Sequence, residues 1–126
     1  MRLPTLRRTR SADPDAVTGT ARLDRRTKRL AGRLRPGDVA VIDHVDIDRV
    51  AADSLVAVGV AAVLNAKPSI SGRYPNLGPE VLIKNGVILV DNLGEELFDR
   101  LHEGDLVSID GDTVLLGGEQ IGRAHV

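Results

Sequence analysis

Three short apolar runs, in DVAVID (38–43), VAAVLNA (60–66) and VILVD (87–91), limit most what this chain can become. Each is too short for an ordinary helix and rich in valine and isoleucine, which suit a pleated surface. The segments between them have helical spacing instead. Ile47, Val50, Ala51, Leu55 and Val58 recur at three and four residues, with Asp46 or Asp48 as cap and Gly59 as stop. GPEVLIKNG (78–86) reads as a short helix, with Pro79 in its first turn and Gly86 at its end. Strand alternating with helix in this way predicts a parallel sheet.

The flanks extend the pattern. GTARL (19–23) reads as a strand, and Asp24 as the N-cap of RRTKRLAGRL, which sets Leu23, Thr27, Leu30 and Leu34 on one face and Arg and Lys on the other. Pro36-Gly37 ends that helix. GEELFDRL (94–101) is amphipathic and buries Leu97, Phe98 and Leu101. LVSID and TVLLG are strands joined by Gly111-Asp112, a strong hairpin signal, and EQI can pair as a last edge. The expected fold is therefore α/β: a single domain with a partly parallel sheet flanked by helices and a C-terminal β-hairpin.

Composition narrows the function classes. With no cysteine, neither a disulfide framework nor thiolate metal ligation is available. No apolar run reaches the roughly 18 residues that span a bilayer, the longest (55–64) being broken by Gly59, and no apolar stretch follows Arg2, Arg7, Arg8 and Arg10. A cytoplasmic, soluble chain is expected. Charge is uneven: residues 1–35 carry 11 Lys and Arg against three Asp, whereas residues 36–126 carry 6 against 15 Asp and Glu. A basic segment can meet nucleic acid, but this one holds no aromatic residue to stack on bases and no binding motif. A solvated basic face behind a loose leader over residues 1–17 is the expectation.

SISGRYPNLGPEVLIKNG (69–86) carries the only tyrosine of the chain. Free amides at Gly78-Pro79-Glu80, with Arg73 nearby, suit a phosphate or carboxylate, and Asn65 and Asn76 can add polar contacts at strand ends. The same residues equally shape a turn in which Tyr74 covers the core and Arg73 pairs with an acid. Candidate ligand-binding residues are Asn65, Ser71, Gly72, Arg73, Tyr74, Asn76 and Gly78. Asp43, His44, Asp46 and Asp48 contain metal-ligating chemistry, yet capping and strand-end roles account for the aspartates. His102 suits a helix C-terminus. No catalytic constellation or Walker loop is present.

PGDVAVIDHVDIDRVAADSL, AAVLNAKPSISGRYPNLGPEVL and GVILVD, with GTARLDRRTKRL, resemble the N-terminal domain of SteA-like cytokinetic ring proteins of actinobacteria over roughly residues 18 to 110. The run SGRYPNLGP is the most specific part. The resemblance implies a cytoplasmic protein at the division septum, peripheral to the membrane, with a membrane-bound division partner and a role in peptidoglycan hydrolysis during daughter-cell separation. The family's C-terminal domain, similar to thiamine pyrophosphokinase and implying an ATP or thiamine-type ligand there, has no counterpart in these residues. If that domain is catalytic, this region orients its substrate. A weaker likeness, to swivelling phosphohistidine domains, lacks the histidine that carries the phosphoryl group. A homodimer is compatible with the sequence. The last six residues, IGRAHV (121–126), match a translated sequencing adapter and are expected to lie outside the fold.

Overall fold

The computed structural model describes residues 16–72 and 77–123. Eleven elements follow in the order β1 (Val17–Leu23), α1 (Thr27–Ala31), β2 (Val39–Ile42), α2 (Arg49–Val58), β3 (Ala62–Asn65), α3 (Gly78–Lys84), β4 (Ile88–Val90), α4 (Leu97–Arg100), β5 (Leu106–Asp110), β6 (Thr113–Leu116) and β7 (Glu119–Arg123). They form one mixed sheet of order β4-β3-β2-β1-β5-β6-β7. The first four strands are parallel and the last three run antiparallel as a meander beside β1. The α/β expectation holds, and β5 and β6 form the expected two-residue hairpin at Gly111-Asp112.

Stepping from β1 to β4 in one direction sends every crossover helix to the same face. Alternate residues of each strand consequently enter different cores. Ala40, Ile42 and Val63 pack with Leu30, Ile47, Leu55 and Leu82 of the helical side. Val39, Val41, Ala62 and Leu64 point the other way, to a core closed by Leu93, Leu97, Leu101, Val107, Ile109 and Val114. The segment from β4 to β5, which holds α4, crosses this second face and shields what the first three helices leave open. Burial of β2 and β3 on both sides explains the apolar runs from Val39 to Ile42 and from Ala62 to Leu64.

Three local readings change. Helix α1 starts at Thr27 rather than after Asp24, because the Asp24 amide still donates to Val41 O and prolongs the β1–β2 ladder. The Asp24 carboxylate accepts from the Arg26 amide. On α2 the buried face holds Ala52 and Leu55, while Val50 is 76% exposed; Asp48, not Asp46, caps it by accepting from Ala51 N at 2.7 Å. Finally, β7 reaches Arg123, so Ile121, Gly122 and Arg123 of the terminal hexapeptide have places in the sheet. Ile121 packs on the second core. Residues 124–126 and most of the leader lie outside the described residues.

The parallel and antiparallel halves meet at β1, where Glu103 accepts from the Leu23 amide at 2.8 Å and from Arg33 at 2.7 Å. Partial burial pushes the Glu103 carboxyl up, but the Leu23 amide and the Arg33 and Arg22 guanidinium groups outweigh it and hold the group below the ordinary carboxylate range. A lowered folded-state value stabilises the fold above the unfolded value, and that contribution disappears as pH falls through the folded one. Because the side chain is 42% exposed the effect is small. Glu103→Gln should be modestly less stable than the parent in urea at neutral pH, and the difference should vanish as pH falls through the folded-state titration of Glu103.

Candidate functional site

The C-terminal ends of β2, β3 and β4 lie side by side and share one polar network. Its centre is Asn65, which has no solvent exposure. The side-chain Nδ2 donates to His44 O and to Ser69 Oγ, both at 2.8 Å. Oδ1 accepts from His44 N at 3.0 Å and Lys67 N at 3.1 Å. The carboxamide thus replaces one rung of the β2–β3 ladder, just where β2 turns away after Ile42. Both donors and both acceptor sites are used, so Asn65 holds loops together and has no hydrogen-bonding capacity left for a ligand.

Ser69 continues the chain of bonds. Its hydroxyl donates to Asp91 Oδ1 at 2.6 Å, and its amide donates to the same oxygen at 2.8 Å. A hydroxyl has one proton, so Ser69 Oγ must be the acceptor toward Asn65. The order of donation is therefore Asn65 amide to Ser69 hydroxyl to Asp91 carboxylate. Charge at the end of such a chain strengthens its bonds.

The next tie is to the β2–α2 loop. Asp46, at φ 52°, accepts from Ser71 N at 2.6 Å and from Ser71 Oγ at 2.7 Å. Ile47 N donates to Ser69 O, and Ile47 O accepts from Gly78 N at 3.2 Å. Gly78 is buried against that carbonyl: a Cβ there would lie 2.2 Å from Ile47 O. Gly72, by contrast, has open space around it and φ 86°.

These contacts revise the expected anion cradle. The Gly78 amide is occupied, Pro79 has none, and the Val81 amide donates to Leu77 O. Of the three positions 78–80 one amide is thus occupied and one does not exist, so no row of free amides stands there among the described residues. Asn65, Ser71 and Gly78 do lie at one end of the sheet, tied into the loops there, with Gly72 beside Ser71 in open space; Arg73, Tyr74 and Asn76 fall outside the described residues. The acidic run does not converge either. Asp43 pairs with Arg25, His44 Nδ1 is 2.7 Å from Thr27 Oγ1, Asp46 engages Ser71 and Asp48 caps α2. Among the described residues no group of side chains is arranged to hold a metal ion. His102 is mostly exposed, beside Asp105.

A charged clasp was not anticipated. Glu95, ahead of α4, bridges Lys67 at 3.1 Å and Arg25 at 3.2 Å. Lys67 and then Arg25 hold its carboxyl below the ordinary range. The Arg25 guanidinium also lies 4.3 Å from the Phe98 ring centre. The clasp's only signal in the sequence is a glutamate at the head of GEELFDRL.

No family model matches this chain, and no curated protein matches it. Among the described residues no helix is long and apolar enough to cross a membrane.

Proposed function

We propose that this chain is the non-catalytic N-terminal module of a SteA-like protein. In this reading it works in the cytoplasm, peripheral to the membrane at the division septum of an actinobacterium. Its contribution to cell division and daughter-cell separation is recognition: it binds a membrane-bound partner, or a small anionic ligand, through the connection from Ser71 to Gly78.

One observation carries the recognition part. Both ends of that connection are fixed: Ser69 and Ser71 by the carboxylates of Asp91 and Asp46, and Gly78 by Ile47 O. A recognition segment held at both ends by a rigid scaffold loses less entropy on binding than a free one. The C-terminal edge of parallel strands is also where open α/β sheets collect ligands. The family part of the reading rests on the segments between residues 18 and 110 that resemble SteA-like proteins.

The test is recruitment in living cells. A fluorescent fusion of the chain should concentrate at septa of a dividing actinobacterium, and Arg73→Ala with Tyr74→Ala should disperse it without changing its thermal unfolding. A diffuse parent fusion would refute the septal role. Septal signal undiminished in the double variant would refute the connection as the contact.

A further inference from the structure

A second concavity lies apart from the Ser71–Gly78 connection and shares no residue with it. It is a cleft of about 530 Å³ between the start of α1 and the outer side of α2, at the C-terminal end of β2. Arg26, Thr27 and Lys28 form one wall, Val50, Ala51 and Ser54 the other, and His44 and Asp48 also line it. Its volume falls within the range of small-molecule sites.

Charge distinguishes this cleft from the other groove on the helical side. That groove, of about 310 Å³ between α2 and α3, is lined by Arg49 and Lys84, and each is paired with an acid four residues away, Asp53 and Glu80. Arg22, Arg25, Arg29, Arg33 and Lys67 are likewise paired. Arg26 and Lys28 have no acidic partner among the described residues, although both are exposed on the same lip. Asp43 and Arg25, which also line the cleft, pair with each other. One oxygen of Asp48 is committed to the Ala51 amide, which keeps that carboxylate on the α2 side.

The opposite wall has a different character. Val50 is 76% exposed, an aliphatic side chain facing solvent next to two unneutralised cations. The Ser54 hydroxyl donates to Val50 O at 3.0 Å, which leaves its oxygen able to accept. With Nδ1 of His44 engaged by Thr27, Nε2 is the nitrogen of that ring without a protein partner among the described residues. Two cations on one side and an apolar patch with hydroxyl-binding groups on the other match a molecule with an anionic head and a hydroxylated body.

We propose that this cleft binds a small organic phosphate. Arg26 and Lys28 hold the phosphoryl oxygens, the body rests on Val50 and Ala51, and Asp48 and His44 meet its hydroxyl groups. Arg supplies a fork that suits phosphate geometry and Lys a point charge, so the pair suits a terminal phosphate rather than an extended polyanion.

The test is an amide NMR titration of the full chain with AMP and with ribose 5-phosphate, against adenosine and inorganic phosphate as controls. Either organic phosphate should shift the signals of residues 26–28 and 50–54 and leave those of Ser71 and Gly72 in place. Adenosine should not bind, and inorganic phosphate should bind at least about tenfold more weakly. Arg26→Gln with Lys28→Gln should weaken binding about tenfold or more. Val50→Asp, on the facing wall, should abolish it through repulsion. All three positions are exposed, so the variants should retain the parent's thermal midpoint. Absence of localised shifts with both organic phosphates would overturn the proposal, as would unchanged affinity in the double variant or equal binding of inorganic phosphate. Because Arg73 and Tyr74 are untouched, failure here is separate from failure of septal recruitment.

Discussion

Replacing Asn65 with leucine should destabilise the domain by about 3 kcal/mol or more, since a buried polar group left without its partner costs about 1–3 kcal/mol. Leucine has the same branched outline but is bulkier, so no cavity is left and the loss combines the stranded polar groups with some overpacking. Three backbone groups lose their side-chain partner at once: the amide and carbonyl of His44 and the amide of Lys67. His44 and Lys67 are half-buried, and water can recover part of the loss there; the Ser69 hydroxyl, 1% exposed, loses the donor from Asn65 but keeps its own bond to Asp91. Asn65→Asp sharpens the test. It keeps both acceptor contacts, removes both donors and introduces a charge where there is no exposure, so it should be at least as damaging at neutral pH and partly relieved in acid. Urea unfolding of the parent and both variants measures this. A leucine variant within about 1 kcal/mol of the parent would show that the network is dispensable.

Gly78→Ala should lower stability by about 3 kcal/mol, the upper part of the range for overpacking a filled site. The added methyl would lie 2.2 Å from Ile47 O, 2.6 Å from Ile47 Cγ2 and 2.7 Å from Ile47 C. Two of these are backbone atoms, and Ile47 is itself fully buried, so the side chain cannot swing aside. Relief requires separating α3 from the β2–α2 loop, which also breaks the bond from Gly78 N to Ile47 O. Gly72→Ala provides the contrast. Its surroundings are open, so its cost comes from φ 86° alone and should be about 1 kcal/mol. Gly72→Asn should recover part of that, because asparagine tolerates left-handed backbone, whereas no residue with a Cβ should rescue position 78. Equal costs at the two positions would contradict this account.

Order and type of the elements were legible because adjacent apolar residues and residues three and four apart imply different shapes. VAVI and AVLN read as strands with no knowledge of their neighbours. The start of α1 was not legible, since what delays it is the bond from Asp24 to Val41, a rung supplied by a distant strand. The exposed position of Val50 was not legible either. Spacing at three and four admits a face through Val50 as readily as one through Ala52, and packing against α1 and α3 chooses between them. Within the candidate site, Asn65, Ser71 and Gly78 drew notice for their residue types, but their partners stay hidden in sequence. Asn65 binds His44 from 21 residues away, Ser69 meets Asp91 across 22 and Ser71 meets Asp46 across 25. Local patterns carry no trace of such pairs. What read as a ligand contact at Asn65 is a fastening between strand ends.

The place of β1 bears on how the chain is made. A ribosome delivers this strand early, yet one of its two flanking neighbours is β5, and the bond between Thr18 and Ser108 joins residues 90 positions apart. The middle of the molecule therefore stays open until synthesis has passed Asp110, and β1 to β4 wait beforehand with one side of the central strand unpaired. Loop closure over that distance must precede the contacts that reward it, which slows acquisition of the native state. Such a domain matures as one unit after its last strands emerge, and a nascent chain halted before residue 105 should depend on chaperones to stay unaggregated.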